Sequence, residues 1–345
     1  MIGERMKLRR QATGMTLQDF SEKLIRAGKP ITTATLSNYE TGKTAPSEEM
    51  LDLIAEELGM SKAFFMQDPF PGFEMSILTP LPLVPKQELE LKAFLQIKLE
   101  QRLSLDKLLK IHCRWAIPEK LHLSTLEYAA IDELCSRLRG WFGAGDQPIS
   151  SVCGMLENLG YYVLQLPKFN EIKSLMGYVH EPLHPFAAVP VDAWPENARH
   201  DLLRALAYTY IETDNPADMP QAAHYFASAM LLPKSQILRE LGSHRTSISF
   251  AELAILKKRY GISRYNILQQ ITKLGYYPLE AFQAISKSLG QHGFSLNNGP
   301  KRTDPAFSET PESFRMRIVQ ALTERLISQE EALQLYPFQF ESWIY

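Results

Sequence analysis

Residues 15–43, MTLQDFSEKLIRAGKPITTATLSNYETGK, hold two short amphipathic stretches separated by a turn around Gly28-Lys29-Pro30. Thr16 stands before the first stretch with Asp19 three residues on. A hydroxyl is thus placed to cap the helix start, and a carboxylate sits near its positive end. Phe20 and Leu24, four residues apart, share a face turned toward a core. After the turn, Thr32 to Glu40 predicts a second helix, with Leu36 and Tyr39 packing inward. Its outward face then presents Thr33, Ala34, Thr35, Ser37 and Asn38. All are small or hydrogen-bonding side chains that can approach base edges in a DNA groove.

Upstream, GERMKLRRQATG (residues 3–14) reads as a supporting helix, with Met6 and Leu8 available to a core and basic residues at its negative end. A support helix, a capped helix, a turn and a polar second helix are what a major-groove reader requires. Residues 1–43 contain eight Lys/Arg and four Asp/Glu, whereas residues 44–67 contain one Lys and five Asp/Glu. This asymmetry predicts a positive face opposite an acidic one. The net charge is only −2, so bulk charge does not draw the molecule to nucleic acid, and any DNA binding must come from a local patch.

Met1 to Gln67 resembles the Cro/cI (XRE) family of helix-turn-helix domains. The resemblance is carried by Thr16-Leu17-Gln18, by Leu36-Ser37-Asn38-Tyr39-Glu40-Thr41-Gly42-Lys43, and by Pro46 and Met50-Leu51 beyond. The turn IRAGKPI is longer than in many members. The resemblance implies a five-helix domain in which Gln18 contacts the DNA backbone and Lys43 touches phosphate. It also implies that the start of the recognition helix, Thr32 onward, reads bases. The implied partner is a double-stranded operator, bound by a homodimer because one module covers too few base pairs for tight specificity.

At 345 residues, with 45% hydrophobic and 22% charged residues, the chain is expected to form two or three ordinary globular domains. Its three cysteines, Cys113, Cys135 and Cys153, make neither a disulfide framework nor a zinc finger, and are expected to be reduced thiols. The charged N-terminus lacks a signal-peptide core, and no stretch is apolar enough to span a bilayer, so the expected location is cytoplasmic, away from membranes.

Residues 68–86, with five prolines, read as an extended linker, and residues 87–145 as a helical connector that includes a helix from Ser124 to about Phe142. Residues 146–245 read as a small α+β domain. ENLGYYVLQLP predicts a strand; MGYVH and FAAVPVDA predict a hairpin around EPLHP, with Pro190 arguing for an edge position. Helices follow at about 196–212 and 220–231, and residues 246–345 form a helical C-terminal region. Within it, Asn297 to Pro300 open a polar loop, Thr310-Pro311-Glu312 predicts a helix start, and Ser328 with Glu331 predicts a capping box before the aromatic end FQFESWIY. The fold class is α+β, predominantly α.

His180-Glu181-Pro182-Leu183-His184 fits the H-E-x-x-H expression of zinc peptidases. Pro182 and Pro185 disfavour the helix that this chemistry needs, so its histidines are expected in an exposed turn. Ser124 to Tyr276 nevertheless resembles the ImmA/IrrE type of zinc peptidase. The resemblance rests on Pro148-Ile149, Leu156 to Tyr161, Met176-Gly177, Ala223 to Ala227 with Leu231-Leu232-Pro233, and Leu253 to Ser263. It implies a zincin-like fold with metal ligands on the helix from Arg199 to Tyr208. Arg204, Ala205 and Tyr208 occupy the H-E-x-x-H positions, and Met219, Pro220, Gln221 and Ala222 stand where the third ligand, a glutamate, is expected, Asp218 being the nearest acid. The expectation is a catalytically inactive relative, not an enzyme, with no cofactor or metal. Arg204, Tyr208, His200 and His224 are candidates for a pocket taking a small anion or a protein partner.

The favoured function is a DNA-binding transcriptional repressor. The alternatives are a peptidase acting on a repressor through a rearranged site at His200, His224 and Asp218, and a DNA-binding antitoxin of a toxin–antitoxin pair.

Overall fold

A computed structural model describes residues 2–68, 70, 72–79, 83–113, 115–167, 173–291 and 309–336. The polar loop expected at 297–300 and the aromatic end at 338–345 lie outside the described residues. The chain divides into two compact units, one from residues within 1–74, 82–113 and 312–345, the other from residues within 75–81 and 114–311. This differs from the five consecutive segments expected from composition: the helix at 85–108 and the helices after residue 312 join the N-terminal domain, whereas the rest of the expected connector and of the C-terminal region belongs to the second unit.

In the first unit, α1 (Ile2–Ala12), α2 (Leu17–Arg26), α3 (Thr33–Glu40), α4 (Glu48–Leu58) and α5 (Lys62–Met66) follow one another. Four of them start at a capping hydroxyl: Thr16, Thr32, Ser47 and Ser61 each accept from a backbone N–H three residues on. At Thr16 the Asp19 carboxylate accepts in return from the Thr16 backbone N–H at 2.8 Å, completing a capping box. Met6, Phe20, Leu24, Leu36, Ile54 and Phe65 form the core. Gly3 is required where α1 meets the end of α3, because a Cβ there would lie 2.1 Å from the Tyr39 carbonyl oxygen.

The long helix α6 (Pro85–Leu108) begins with the proline that its fixed φ suits to a first turn. It is buried on more than one side. Ala93 and Ile97 belong to the core of α1–α5, while Leu105 packs with Phe314, Ile318 and Ala321 of α15 (Ser313–Thr323) and Ala332 of α16 (Gln329–Leu335). Arg317 donates to both carboxylate oxygens of Asp106 at 2.5 and 2.6 Å. The Ser328–Glu331 capping box forms as expected. Thr310-Pro311 does not open a helix: α15 starts at Ser313, after Glu312, without a side-chain cap.

The second unit is built on a four-stranded sheet in the order β1-β4-β5-β3, from β1 (Met75–Leu78), β3 (Tyr162–Leu166), β4 (Leu175–Val179) and β5 (His184–Pro190). The expected hairpin is β4–β5, antiparallel, and β3 pairs parallel to β5. Two expectations change. Part of the linker forms an edge strand, because Gly177 lets β1 approach: a Cβ there would lie 2.2 Å from the Ser76 carbonyl oxygen. Pro190 lies in an interior strand, but past Ala188, the last residue of β5 that β4 pairs, so that it has a strand neighbour on one side only.

The short β2 (Leu121–Leu123) and β6 (Ile211–Thr213) pair in parallel. The helix expected from Ser124 starts instead at Tyr128, as α7 (Tyr128–Trp141). After α8 (Val152–Asn158), helix α9 (Pro195–Tyr210) lies against the sheet and α10 (Met219–Leu231) against α9. The unit continues with α11 (Lys234–Leu241), α12 (Phe250–Tyr260), α13 (Arg264–Lys273) and α14 (Leu279–Gln291).

Among its buried polar groups, the fully buried Arg199 donates to Glu309 at 2.7 Å. The Glu309 carboxylate also accepts from the backbone N–H groups of Val152 (3.0 Å) and Cys153 (2.8 Å). Cys135 and Cys153 are buried thiols. Among the described residues no helix is long and apolar enough to cross a membrane.

The Gly3→Ala variant is expected to lose about 1–3 kcal/mol of stability, the usual cost of forcing extra volume against fixed backbone. Urea denaturation of the full chain, followed by a far-UV signal, measures it; an unchanged midpoint would contradict the tight α1–α3 approach.

Candidate functional site

The face of α3 is set by what holds its other side. Leu36 is buried, and Glu40, one turn further, is buried with it. Arg10 of α1, one turn after the buried Met6, donates from Nε and Nη2 to the two Glu40 carboxylate oxygens at 2.6 and 2.7 Å, and from Nη1 to the Met15 carbonyl at 2.7 Å. A planar guanidinium meeting a carboxylate at two points fixes orientation as well as distance. Sequence reading placed Arg10 among the DNA-facing basic residues; the signal it passed over was the four-residue spacing from Met6 to Arg10 and from Leu36 to Glu40.

Arg5 is likewise buried, paired to Glu100 of α6 and donating to the Asp68 carbonyl at 2.7 Å. Arg9 donates to the Leu58 carbonyl at 2.8 Å, at the negative end of α4. Several of the eight basic residues counted on this segment therefore serve the interior, and the positive surface is smaller than the count implies. Lys7 and Lys43 remain exposed.

On the open side of α3, Thr32 and Ala34 are exposed, and Thr33, Thr35, Ser37 and Asn38 half-buried. The Thr32 hydroxyl accepts from the Thr35 N–H at 3.1 Å and lies 2.9 Å from the Thr35 hydroxyl, so these two side chains are partly engaged by the cap. Gln18 is exposed and donates to Glu22 at 2.9 Å. Lys43 is carried by a loop folded back on the helix end, its N–H donating to the Asn38 carbonyl at 2.9 Å. The six-residue turn between α2 and α3 is held by the buried Ser21 hydroxyl, which donates to the Ile31 carbonyl at 2.6 Å.

A second helix pair has the same punctuation. Gly261, left-handed at φ 61°, ends α12, and the Ser263 hydroxyl caps α13. Its second helix buries Asn266, Ile267, Leu268, Gln270 and Ile271, so it offers no comparable reading face.

In the second unit the four pocket candidates lie on facing helices. The His200 and His224 rings are 4.7 Å apart, and His200 Nε2 lies 3.3 Å from the Ser228 hydroxyl. Arg204 and Tyr208, half-buried, follow His200 along α9 at one-turn spacing. Burial and the neighbouring cations hold both imidazoles neutral. His200 is pushed far below the usual histidine range, chiefly by desolvation, and His224 is lowered to about 4 by desolvation, with Lys273 and Arg204 adding.

Asp218 does not join them; its charge acts on Tyr128 instead. Among the described residues no three of His, Cys, Asp and Glu come together to hold a metal ion. His180 and His184 are not both exposed turn residues. His184 lies in β5, buried and stacked on Tyr162 at 3.6 Å between ring centres, while His180 Nε2 lies 2.9 Å from the Ser76 hydroxyl.

Residues 6–65 match a family model described as helix-turn-helix, which supports a helix-turn-helix in the N-terminal domain. Comparison with curated proteins and with solved structures finds no match to the chain.

Removing one partner of the buried pair, by Arg10→Met or Glu40→Leu, is expected to cost about 3–5 kcal/mol, because the other charge is stranded. The double variant should recover much of that loss in urea denaturation; equal losses in single and double variants would count against the pair's role. A pH dependence follows from the neutral histidines. The charges acting on His200 and His224 are those of Arg204 of α9, Lys173 before β4 and Lys273 of α13. The folded chain resists protonation that the unfolded chain accepts, so stability should fall as pH drops from about 6.5 toward about 4. The thermal midpoint should fall less over that range in His224→Phe.

Proposed function

We propose that this chain is a sequence-specific transcriptional regulator, acting as a cytoplasmic repressor and binding its operator as a homodimer. The observation that carries the reading is the outer face of α3, whose base-reading candidates Thr33, Ala34, Ser37 and Asn38 stand opposite the Arg10–Glu40 pair. One module covers few base pairs, so two copies on a two-fold operator supply the specificity that a repressor needs.

The second unit acts as a catalytically inactive, metallopeptidase-like sensor or interaction domain of the ImmA/IrrE type. What supports this is the set of side chains at the positions where the resemblance calls for ligands. Arg204 and Tyr208 stand there, and a fixed guanidinium opposes a bound cation. Stoichiometric zinc in the purified protein, lost when His200 or His224 is changed, would replace this reading with a peptidase.

Genome-wide mapping of bound DNA tests the whole proposal. The intact chain is expected to occupy discrete sites, and Asn38→Ala to lose them; persistence of the same sites would remove α3 as the reader. Lys43→Ala should weaken binding uniformly across sequences and reduce the salt slope by about 0.9, the value for one phosphate contact. A titration at several salt concentrations measures it.

A further inference from the structure

The first unit holds a cavity of about 730 Å³, bounded by α4, α5, α6 and α16, with Arg5 of α1 in its wall. That volume falls within the range of about 300–1,000 Å³ usual for sites that enclose small molecules. Met60, Phe64, Ile97, Leu105 and Leu335 supply its apolar lining. Glu56, Asp68 and Ser104, also on its wall, are exposed, so solvent reaches it.

Charge around the cavity is one-sided. Among the described residues its wall carries the carboxylates of Glu56, Asp68, Glu100 and Glu331 against one cation, Arg5. Arg5 is already engaged: it pairs with Glu100 and donates to the Asp68 carbonyl at 2.7 Å and the Gln67 carbonyl at 3.3 Å. Glu331 accepts from the Ser328 N–H at 2.7 Å, and no described cation pairs with it, with Glu56 or with the Asp68 carboxylate. Two long helices add to the imbalance. The wall takes Ala55, Glu56 and Gly59 from the end of α4, and Ser104, Leu105 and Leu108 from the end of α6. A helix C-terminus carries partial negative charge, which favours a cation nearby and disfavours a carboxylate. Glu57 in the same turn of α4 has Lys23 at 3.3 Å, whereas Glu56 has no such partner.

The chemistry of an occupant follows by elimination. An anion would meet three carboxylates without a cation and the negative ends of two helices. A neutral apolar molecule would fit the lining but strip water from those carboxylates without replacing it. A protonated amine on an apolar body answers both, with its ammonium on the carboxylates and its body on the apolar wall. We propose that this cavity binds a small amphipathic amine, with Glu56 and Asp68 as its charge partners. The site lies in the first unit and does not draw on the sensor reading of the second, so either can fail without the other.

Isothermal titration of the full chain with tryptamine, and separately with its neutral analogue tryptophol and its anionic analogue indole-3-propionate, tests the site. Tryptamine should bind saturably at one site per chain, about tenfold or more tighter than tryptophol, the margin of a charge-assisted contact. Indole-3-propionate should bind more weakly still. Glu56→Gln and Asp68→Asn should each weaken tryptamine and leave tryptophol unchanged. Ser104→Trp, which puts a ring into the cavity, should abolish the binding of both. Glu330→Gln, exposed on α16 but outside the cavity wall, should change nothing. All four substitutions fall at exposed positions, where folding tolerates them. Equal affinity for the three compounds would overturn the proposal, as would tryptamine binding that survives Ser104→Trp. No saturable binding of tryptamine up to about 10 mM, far beyond a micromolar range, would overturn it as well.

Discussion

The Arg10–Glu40 pair determines how the first unit presents itself. Taking both charges out of water is costly, and the cost is offset only because three guanidinium nitrogens meet two carboxylate oxygens and the Met15 carbonyl at hydrogen-bond distance. The pair joins the last turn of α1 to the last turn of α3. Near the start of α1, Gly3 brings backbone against the same end of α3. Helix α3 is therefore fixed by its inner side, by a side-chain pair and a backbone contact. Its outer residues are relieved of much structural duty, apart from the cap shared by Thr32 and Thr35.

What the sequence disclosed depended on how local each determinant is. Thr16 with Asp19, and Ser328 with Glu331, are caps made within four residues, and both formed. Phe20, Leu24 and Leu36 follow from helical spacing and are buried. Arg5 and Arg10 were misread because counting charge assumes exposure, and their partners Glu100 and Glu40 lie far along the chain. Residues 75–78 look like linker because an edge strand so short is defined by its partner, a hundred residues away. His184 escaped for the same reason: its stacking on Tyr162 is a product of tertiary pairing. The approach of His200 to His224 could be suspected from two helices but was settled only by their packing.

The two helix pairs, α2–α3 and α12–α13, show why local pattern does not by itself assign a role. Both have a capped second helix with a hydroxyl at its start. In α3 the small polar side chains remain open, whereas α13 turns its side chains into the unit's core, where Gln270 donates to the Leu232 carbonyl at 2.8 Å. Burial decides which of two similar motifs is free to meet another molecule. The cluster around Arg204 shows the same rule from the other side, as polar groups retained at the margin of an otherwise apolar helix pair.

The pairing of α15 and α16 with α6 has a genetic meaning. Phe314 lies against the Arg102 guanidinium at 4.0 Å, and Arg317 holds Asp106, so α15 helps to build the unit that contains α1–α5. A premature stop codon before residue 312 would leave the whole helix-turn-helix coding region intact. It would still deprive α6 of the covering that encloses Leu105. A lesion in the codons for α15 would then read out as a defect in a domain encoded far upstream of it.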